Sequence, residues 1–243
     1  MSEITIKNLE FTYPDASRAL DGVSFSVGKG EKLGIIGPNG AGKSTLVNHF
    51  NGFFLPQTGK IVIQGIELSK STQEEIRKNV GIVFQNPDDQ LFMTRLSDDV
   101  AFGPKNLGTS PETVKLEVQK ILKELGLWEL RDKPAAHISQ GQKRFAAFAS
   151  VLVMSPSIIV LDEPTSDLDP RNRKKLIALV RGFKSTCVTV SHDLDFIWDT
   201  CERVILLSAG KIVAEGKTEK ILSDRALLEK NGLELPIRLQ SNL

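Results

Sequence analysis

Cysteine is almost absent from this chain of 243 residues: only Cys187 and Cys201 occur, and neither belongs to a C-x-x-C pair. That excludes a disulfide framework and argues against zinc modules, and it points to a reducing, cytoplasmic setting. An excess of charge is missing too, since 31 Lys and Arg face 30 Asp and Glu for a formal net charge of +1. A protein held to nucleic acid by phosphate neutralisation is normally more basic, so no nucleic-acid partner is expected. Long apolar runs are lacking. The most apolar stretch, Phe145 to Met154, falls well short of the ~20 residues that span a bilayer. The opening Met1-Ser2-Glu3-Ile4-Thr5 has no charged leader before an apolar core, so no signal peptide is expected. No internal repeat or low-complexity tract occurs. With 40% hydrophobic and 25% charged residues, the composition is that of an ordinary globular domain.

Period-two alternation runs through Ile4, Ile6 and later Phe11, and again through Val23, Phe25 and Val27, which predicts an N-terminal antiparallel β layer. A short buried strand is expected at Lys32 to Ile36, and further strands at Lys60 to Gln64, Val80 to Phe84, Ile158 to Leu161, Thr186 to Val190 and Val204 to Leu207. Helical stretches such as Gly42 to Phe50 and Arg171 to Arg181 separate them. Strands alternating with helices imply an α/β core with a mostly parallel sheet. Between Asp88 and Met154 helical spacing takes over, as in Val114, Val118, Ile121, Leu122 and Leu125. The expected organisation is one domain over 1–243, with 1–87 and 156–243 forming the core and 88–155 an inserted helical subdomain.

The strongest chemical signal is Gly37-Pro38-Asn39-Gly40-Ala41-Gly42-Lys43-Ser44, which fits G-x-x-x-x-G-K-[ST] between a strand and a helix. Glycines let successive backbone N–H groups converge on phosphate oxygens, and the helix N-terminus adds a positive end. Lys43 is expected at the β- and γ-phosphates and the Ser44 hydroxyl on Mg²⁺. The second signal is Ile158-Ile159-Val160-Leu161-Asp162-Glu163, an apolar strand with two carboxylates at its C-terminal tip. Asp162 would hold Mg²⁺ through water, and Glu163 is the candidate to orient or deprotonate an attacking water. Taken alone, such an acidic pair often just caps a helix; beside a phosphate loop the catalytic reading prevails.

With these motifs in order, the sequence resembles the ATP-binding-cassette ATPases over nearly its whole length. That resemblance implies a P-loop fold and Mg²⁺ with ATP as the working ligand. Pro164-Thr165-Ser166-Asp167-Leu168-Asp169 resembles the loop running between paired sites. Ile138-Ser139-Gln140-Gly141-Gln142 resembles the signature L-S-G-G-Q, which in that family completes the partner's nucleotide site. The resemblance further assigns Tyr13 to adenine stacking, Gln85 to metal and nucleophile sensing, Thr45 to nucleotide binding and His192 to the γ-phosphate switch. Without the other motifs His192 would read as a helix cap and Tyr13 as an edge residue. His49 and His137 match nothing in the pattern and read as structural. Two departures stand out: Gln140 replaces the first signature glycine, and Asp167 sits where a small residue is common.

Val83 to Phe92, Asp99 to Pro104 and Gly141-Gln142-Lys143-Arg144 are similar to the ATPases of energy-coupling-factor importers, which take up cobalt, nickel or vitamins. The implied partners are a second cassette, as a homodimer or a paralogous heterodimer, and transmembrane subunits at the cytoplasmic face of the membrane. Asp88, Asp89, Leu91 and Phe92 are expected to form the docking groove. Another ABC transporter class, or a non-transport ABC ATPase, is the alternative. A kinase or GTPase would lack the signature segment.

Overall fold

The computed structural model describes residues 2–240. Strands β1 (Ser2–Thr12) and β2 (Arg18–Gly28) pair antiparallel. Their inward residues Ile4, Ile6, Val23 and Val27 are fully buried, as the alternation predicts. The alternation from Ile6 does not run straight to Phe11. Asn8 takes a left-handed backbone (φ 47°) at a register shift between Ile6 and Leu9, so Leu9 and Phe11 both turn inward.

Strand β3 (Lys32–Ile36) leads through the glycine-rich loop into α1 (Lys43–Phe50). The chain then returns to the first sheet as β4 (Thr58–Ile63) and β5 (Ile66–Glu67), and passes through α2 (Gln73–Asn79) to β6 (Val80–Val83). Next come α3 (Leu96–Asn106), α4 (Pro111–Glu124) and α5 (Gln140–Leu152). Strand β7 (Ile158–Asp162), α6 (Pro170–Arg181), β8 (Thr186–Val190), α7 (Leu194–Thr200) and β9 (Arg203–Ser208) complete the alternating part. A hairpin strand β10 (Lys211–Lys217) and the short helices α8 (Thr218–Leu222), α9 (Arg225–Lys230) and α10 (Ile237–Gln240) follow. The first sheet has the order β2-β1-β4-β5 and is antiparallel. The second has the order β10-β9-β3-β8-β7-β6 and is parallel except for β10. The fold is thus a P-loop α/β core with an N-terminal antiparallel layer and added helices.

Strand β7 shows why the second sheet reads as unbroken apolar runs. Ile158 and Val160 face α1 and the antiparallel sheet, while Ile159 and Leu161 face Phe148 of α5 and Leu176 of α6. Both faces are covered, so nothing polar is needed until the strand tip. Helix α5 joins this second core through Phe145, Ala147 and Phe148, which seats it on β6. His49 is structural, as expected: it is fully buried, its Nδ1 lies 2.8 Å from the Thr45 carbonyl, and its ring packs edge-on against Phe11. Among the described residues, no helix is long and apolar enough to cross a membrane.

Gly81 of β6 lies tight against α5 and the residues after it, because a Cβ there would lie 2.4 Å from Val151 Cγ1 and 3.0 Å from Pro156 Cγ. Gly81→Ala is therefore expected to destabilise the fold by about 1–3 kcal/mol through overpacking, read as a shift in the urea midpoint.

Candidate functional site

The loop Gly37 to Ser44 is held by contacts that only glycine allows. A Cβ on Gly37 would lie 2.0 Å from the Leu207 carbonyl oxygen, and one on Gly42 (φ 100°) 2.3 Å from that of Ala19. The Gly210 N–H donates to the Ala41 carbonyl at 3.1 Å. The loop is thereby fastened to β9, to β2 and to the β9–β10 turn, and α1 starts in a fixed direction. Lys43 is nearly buried, and its ammonium donates to the carbonyls of Gly37 (2.7 Å) and Pro38 (2.9 Å). Burial pulls its pKa down, while Glu163 and Asp162 push it back up. Ser44 is exposed.

Strand β7 delivers Asp162 and Glu163 to the same end of the sheet. Burial raises the Asp162 carboxyl from 3.8 to about 6, the neighbouring Glu163 charge adds to the rise, and Lys43 opposes it. Its Oδ1 is buried without a hydrogen-bond partner. Glu163 occupies a left-handed backbone position (φ 45°), with its N–H bonded to the Val190 carbonyl at 2.8 Å. That turn brings Glu163 Oε2 to 2.7 Å from His192 Nδ1, where it also accepts from the His192 N–H (3.1 Å) and the Ser191 hydroxyl (3.2 Å). Ser191 was not foreseen; its only mark in the sequence is its place between strand β8 and His192.

A cleft of about 740 Å³ gathers these groups: the Gly37–Thr45 segment, Gln85 at the end of β6, Glu163, His192 and Tyr13 all line it. Tyr13 projects its hydroxyl to 2.9 Å from the Thr45 hydroxyl, and its ring packs edge-on against Phe11. Gly232 and Leu233, which no motif indicated, also border the cleft. Asp162 lies behind the lining. Mg²⁺ suits this donor set: the orphaned Asp162 oxygen and the Ser44 hydroxyl are hard ligands. Among the described residues no cluster of three or more His, Cys, Asp or Glu could hold a metal. Such a site fits an ion that keeps waters and takes phosphate oxygens as further ligands.

The signature segment is not part of this cleft. Ser139 caps α5, accepting from the Gln142 N–H at 3.3 Å while the Gln142 side chain accepts from the Ser139 N–H at 2.9 Å. A Cβ on Gly141 would meet Asn172 Nδ2 at 2.5 Å. Asn172 is itself held by Asp169, which caps α6. The loop Ser166 to Asp169 turns at Asp167 (φ 61°) with Leu168 packed against the helical core. Two of the expected docking residues also make contacts within the chain. Asp88 is paired with Lys143 of α5 at 2.7 Å, so its charge is matched within the chain, and Leu91 is a core residue at 6% exposure. Asp89 is exposed, and Phe92 is 63% exposed with its ring edge-on to Phe102.

The ABC transporter family profile matches residues 20–166. The chain is 46% identical over 237 residues to the energy-coupling factor transporter ATP-binding protein EcfA of Carboxydothermus hydrogenoformans, covering 96% of this chain and 87% of that protein. Identity to EcfA of Methanocaldococcus jannaschii is 43% over 238 residues, with 96% and 85% covered. Among solved structures, cbiO1 of Clostridium perfringens, part of the ABC transporter complex cbiONQ, superposes with a TM-score of 0.84 at 32% identity, covering 100% of this chain and 99% of that one. The ATP-binding cassette MJ0796, solved as a dimer in a post-hydrolysis state with ADP and Pi, gives 0.81 at 28% identity, with 88% and 98% covered.

The raised Asp162 carboxyl makes a testable statement about the nucleotide-free chain. Its folded pKa lies above the unfolded one, so the ionised group weakens the fold as pH climbs from 3.8 through about 6. Asp162→Asn removes that cost, which amounts to roughly 3 kcal/mol at most. The variant is expected to unfold at higher urea than the parent at pH 7.5, with the gap narrowing at pH 5.

Proposed function

This chain belongs to the ABC transporter family as an ATP-hydrolysing, ATP-binding subunit, and from that premise we propose that it powers an importer of the energy-coupling-factor type. Its cargo on this reading is cobalt, nickel or a vitamin, and its place is the cytoplasmic face of the cell membrane. The observation that carries the reading is the single cleft lined by the phosphate loop, Gln85, Glu163 and His192. Gly37 to Ser44 offers backbone N–H groups to the phosphates, Lys43 supplies a point charge at the γ-phosphate, and Thr45 lines the cleft beside Tyr13 as a further nucleotide-binding residue. Tyr13 gives its ring to adenine. Ser44, Gln85 and Asp162 are the residues that would hold Mg²⁺, which when bound neutralises phosphate charge. Glu163 orients the attacking water and takes its proton, with Oε2 steadied by Ser191 and by the His192 N–H.

The working unit is a pair, either two copies of this chain or this chain with a paralogue. The placing of Ser139, Gln140, Gly141 and Gln142 outside the chain's own cleft supports this, as does the dimeric structure of MJ0796. Those residues then complete the partner's site, with Ser166, Asp167, Leu168 and Asp169 running between the two. ATP bridges the halves and ADP, lacking the γ-phosphate, releases them, so hydrolysis becomes opening. For the membrane subunit, the groove beside Asp89 and Phe92 is the proposed seat, with the exposed Asp88 held by Lys143 nearby and Leu91 packed in the core beneath.

Glu163→Gln preserves shape while removing the base, so turnover is expected to fall by about 10²–10⁴ with ATP still bound. Sedimentation with ATP should then show a dimer; near-parental turnover would move the base elsewhere. For docking, Phe92→Ala combined with Asp89→Lys is expected to cost about 2 kcal/mol of affinity for the membrane subunit, measured by co-purification, without changing ATP affinity.

A further inference from the structure

One arginine on α5 touches two loops, one carrying Gln85, which lines the nucleotide cleft, and the other carrying Ser166 and Asp167, which follows the cleft residue Glu163. Arg144 is 2% exposed, yet it carries a full guanidinium into the protein. Its Nη1 donates to the Phe84 carbonyl at 2.9 Å, one residue before Gln85, and its Nη2 to the Ser166 carbonyl at 3.3 Å, one residue before Asp167. Ser166 in turn donates its N–H to the Glu163 carbonyl at 3.3 Å. Five residues upstream of Arg144 on the same helix stands Ser139, roughly 7.5 Å along the axis. One rigid fork therefore spans the Gln85 loop, the Ser166–Asp167 loop and the signature end of α5.

Stability alone does not account for this placement. The Arg144 Nε is buried with no partner. Burial also pulls the pKa of the guanidinium down, with Asp167 opposing the shift. An apolar residue of similar volume would avoid both costs. A small cavity of about 200 Å³, bordered by Gln85, Gln140, Arg144 and Asp167, leaves the two loops room to shift around the fork.

We propose that Arg144 is a positioning residue that ties the Gln85 segment of this chain's own cleft, and the Asp167 loop that follows Glu163, to the signature segment it offers to a partner. The proposal rests on the paired reading above. Occupancy of one site then reaches the other through a packed, hydrogen-bonded link instead of through the nucleotide alone. Lysine cannot substitute, because a compact ammonium does not present two divergent arms to carbonyls on different loops.

The test uses the full chain carrying Glu163→Gln, with and without Arg144→Lys. Sedimentation across an ATP titration is expected to place the midpoint of dimer formation about tenfold higher in the double variant. ADP affinity, measured by calorimetry, is expected to stay unchanged. An unchanged ATP midpoint, or equal losses in pairing and in ADP binding, overturns the positioning role while leaving the paired reading intact. A Glu163→Gln chain that stays monomeric at saturating ATP overturns the paired reading and this proposal with it. Should Arg144→Lys fail to fold, hydrogen exchange on the Glu163→Gln chain decides. At protein concentrations that keep it monomeric, ATP is expected to slow exchange over residues 84–90, 140–146 and 164–169 together. Slowing confined to the phosphate loop overturns the link.

Discussion

The phosphate loop is pressed between two backbone carbonyls that come from different sheets, Leu207 of the parallel sheet and Ala19 of the antiparallel one. No side-chain atom fits at Gly37 or Gly42, where a Cβ would lie 2.0 or 2.3 Å from those oxygens. This double contact sets where α1 begins and where Lys43 points, and it makes the antiparallel layer part of the site's support. It also brings the start of β2, next to Tyr13, against the loop that Tyr13 borders. Removing either sheet would leave the loop without a wall.

Charge in the cleft is arranged at a cost to the folded chain. Lys43 and Asp162 are each shifted by burial toward their neutral forms, and each is partly restored by the other's charge. Glu163 enters through a strained turn and lies against His192 and Ser191. Perturbed groups gathered at one strand tip, with an orphaned oxygen among them, mark a site shaped for a ligand more than for stability. On the function proposed above, polyphosphate with Mg²⁺ supplies the charges that this cleft balances.

Most of the parallel sheet was legible, because a strand buried on both faces leaves a plain apolar run, as at Ile158 to Leu161. The phosphate loop and the acidic strand tip were legible for the same local reason, each being a few consecutive residues. The turn at Asn8 was not, since a bulge shifts the phase of Leu9 and Phe11 without any marker but an asparagine. Nor was β10, an edge strand whose residues are all half-buried or exposed, or the bordering of the cleft by Gly232 and Leu233. Pairings across long stretches of chain were the least visible. Asp88 looks like a free surface charge until Lys143 is seen 2.7 Å away, and Arg144 shows no sign of its two carbonyl partners.

The central claim is that this loop and its lysine grip the γ-phosphate of ATP. Calorimetric titration with Mg·ATP and with Mg·ADP, on the parent and on Lys43→Ala, tests it most directly. The account predicts that Lys43→Ala loses about tenfold or more in ATP affinity, a charge-assisted contact of roughly 1.5–3 kcal/mol, and clearly less for ADP. Binding of ATP by Lys43→Ala as tightly as by the parent would contradict it.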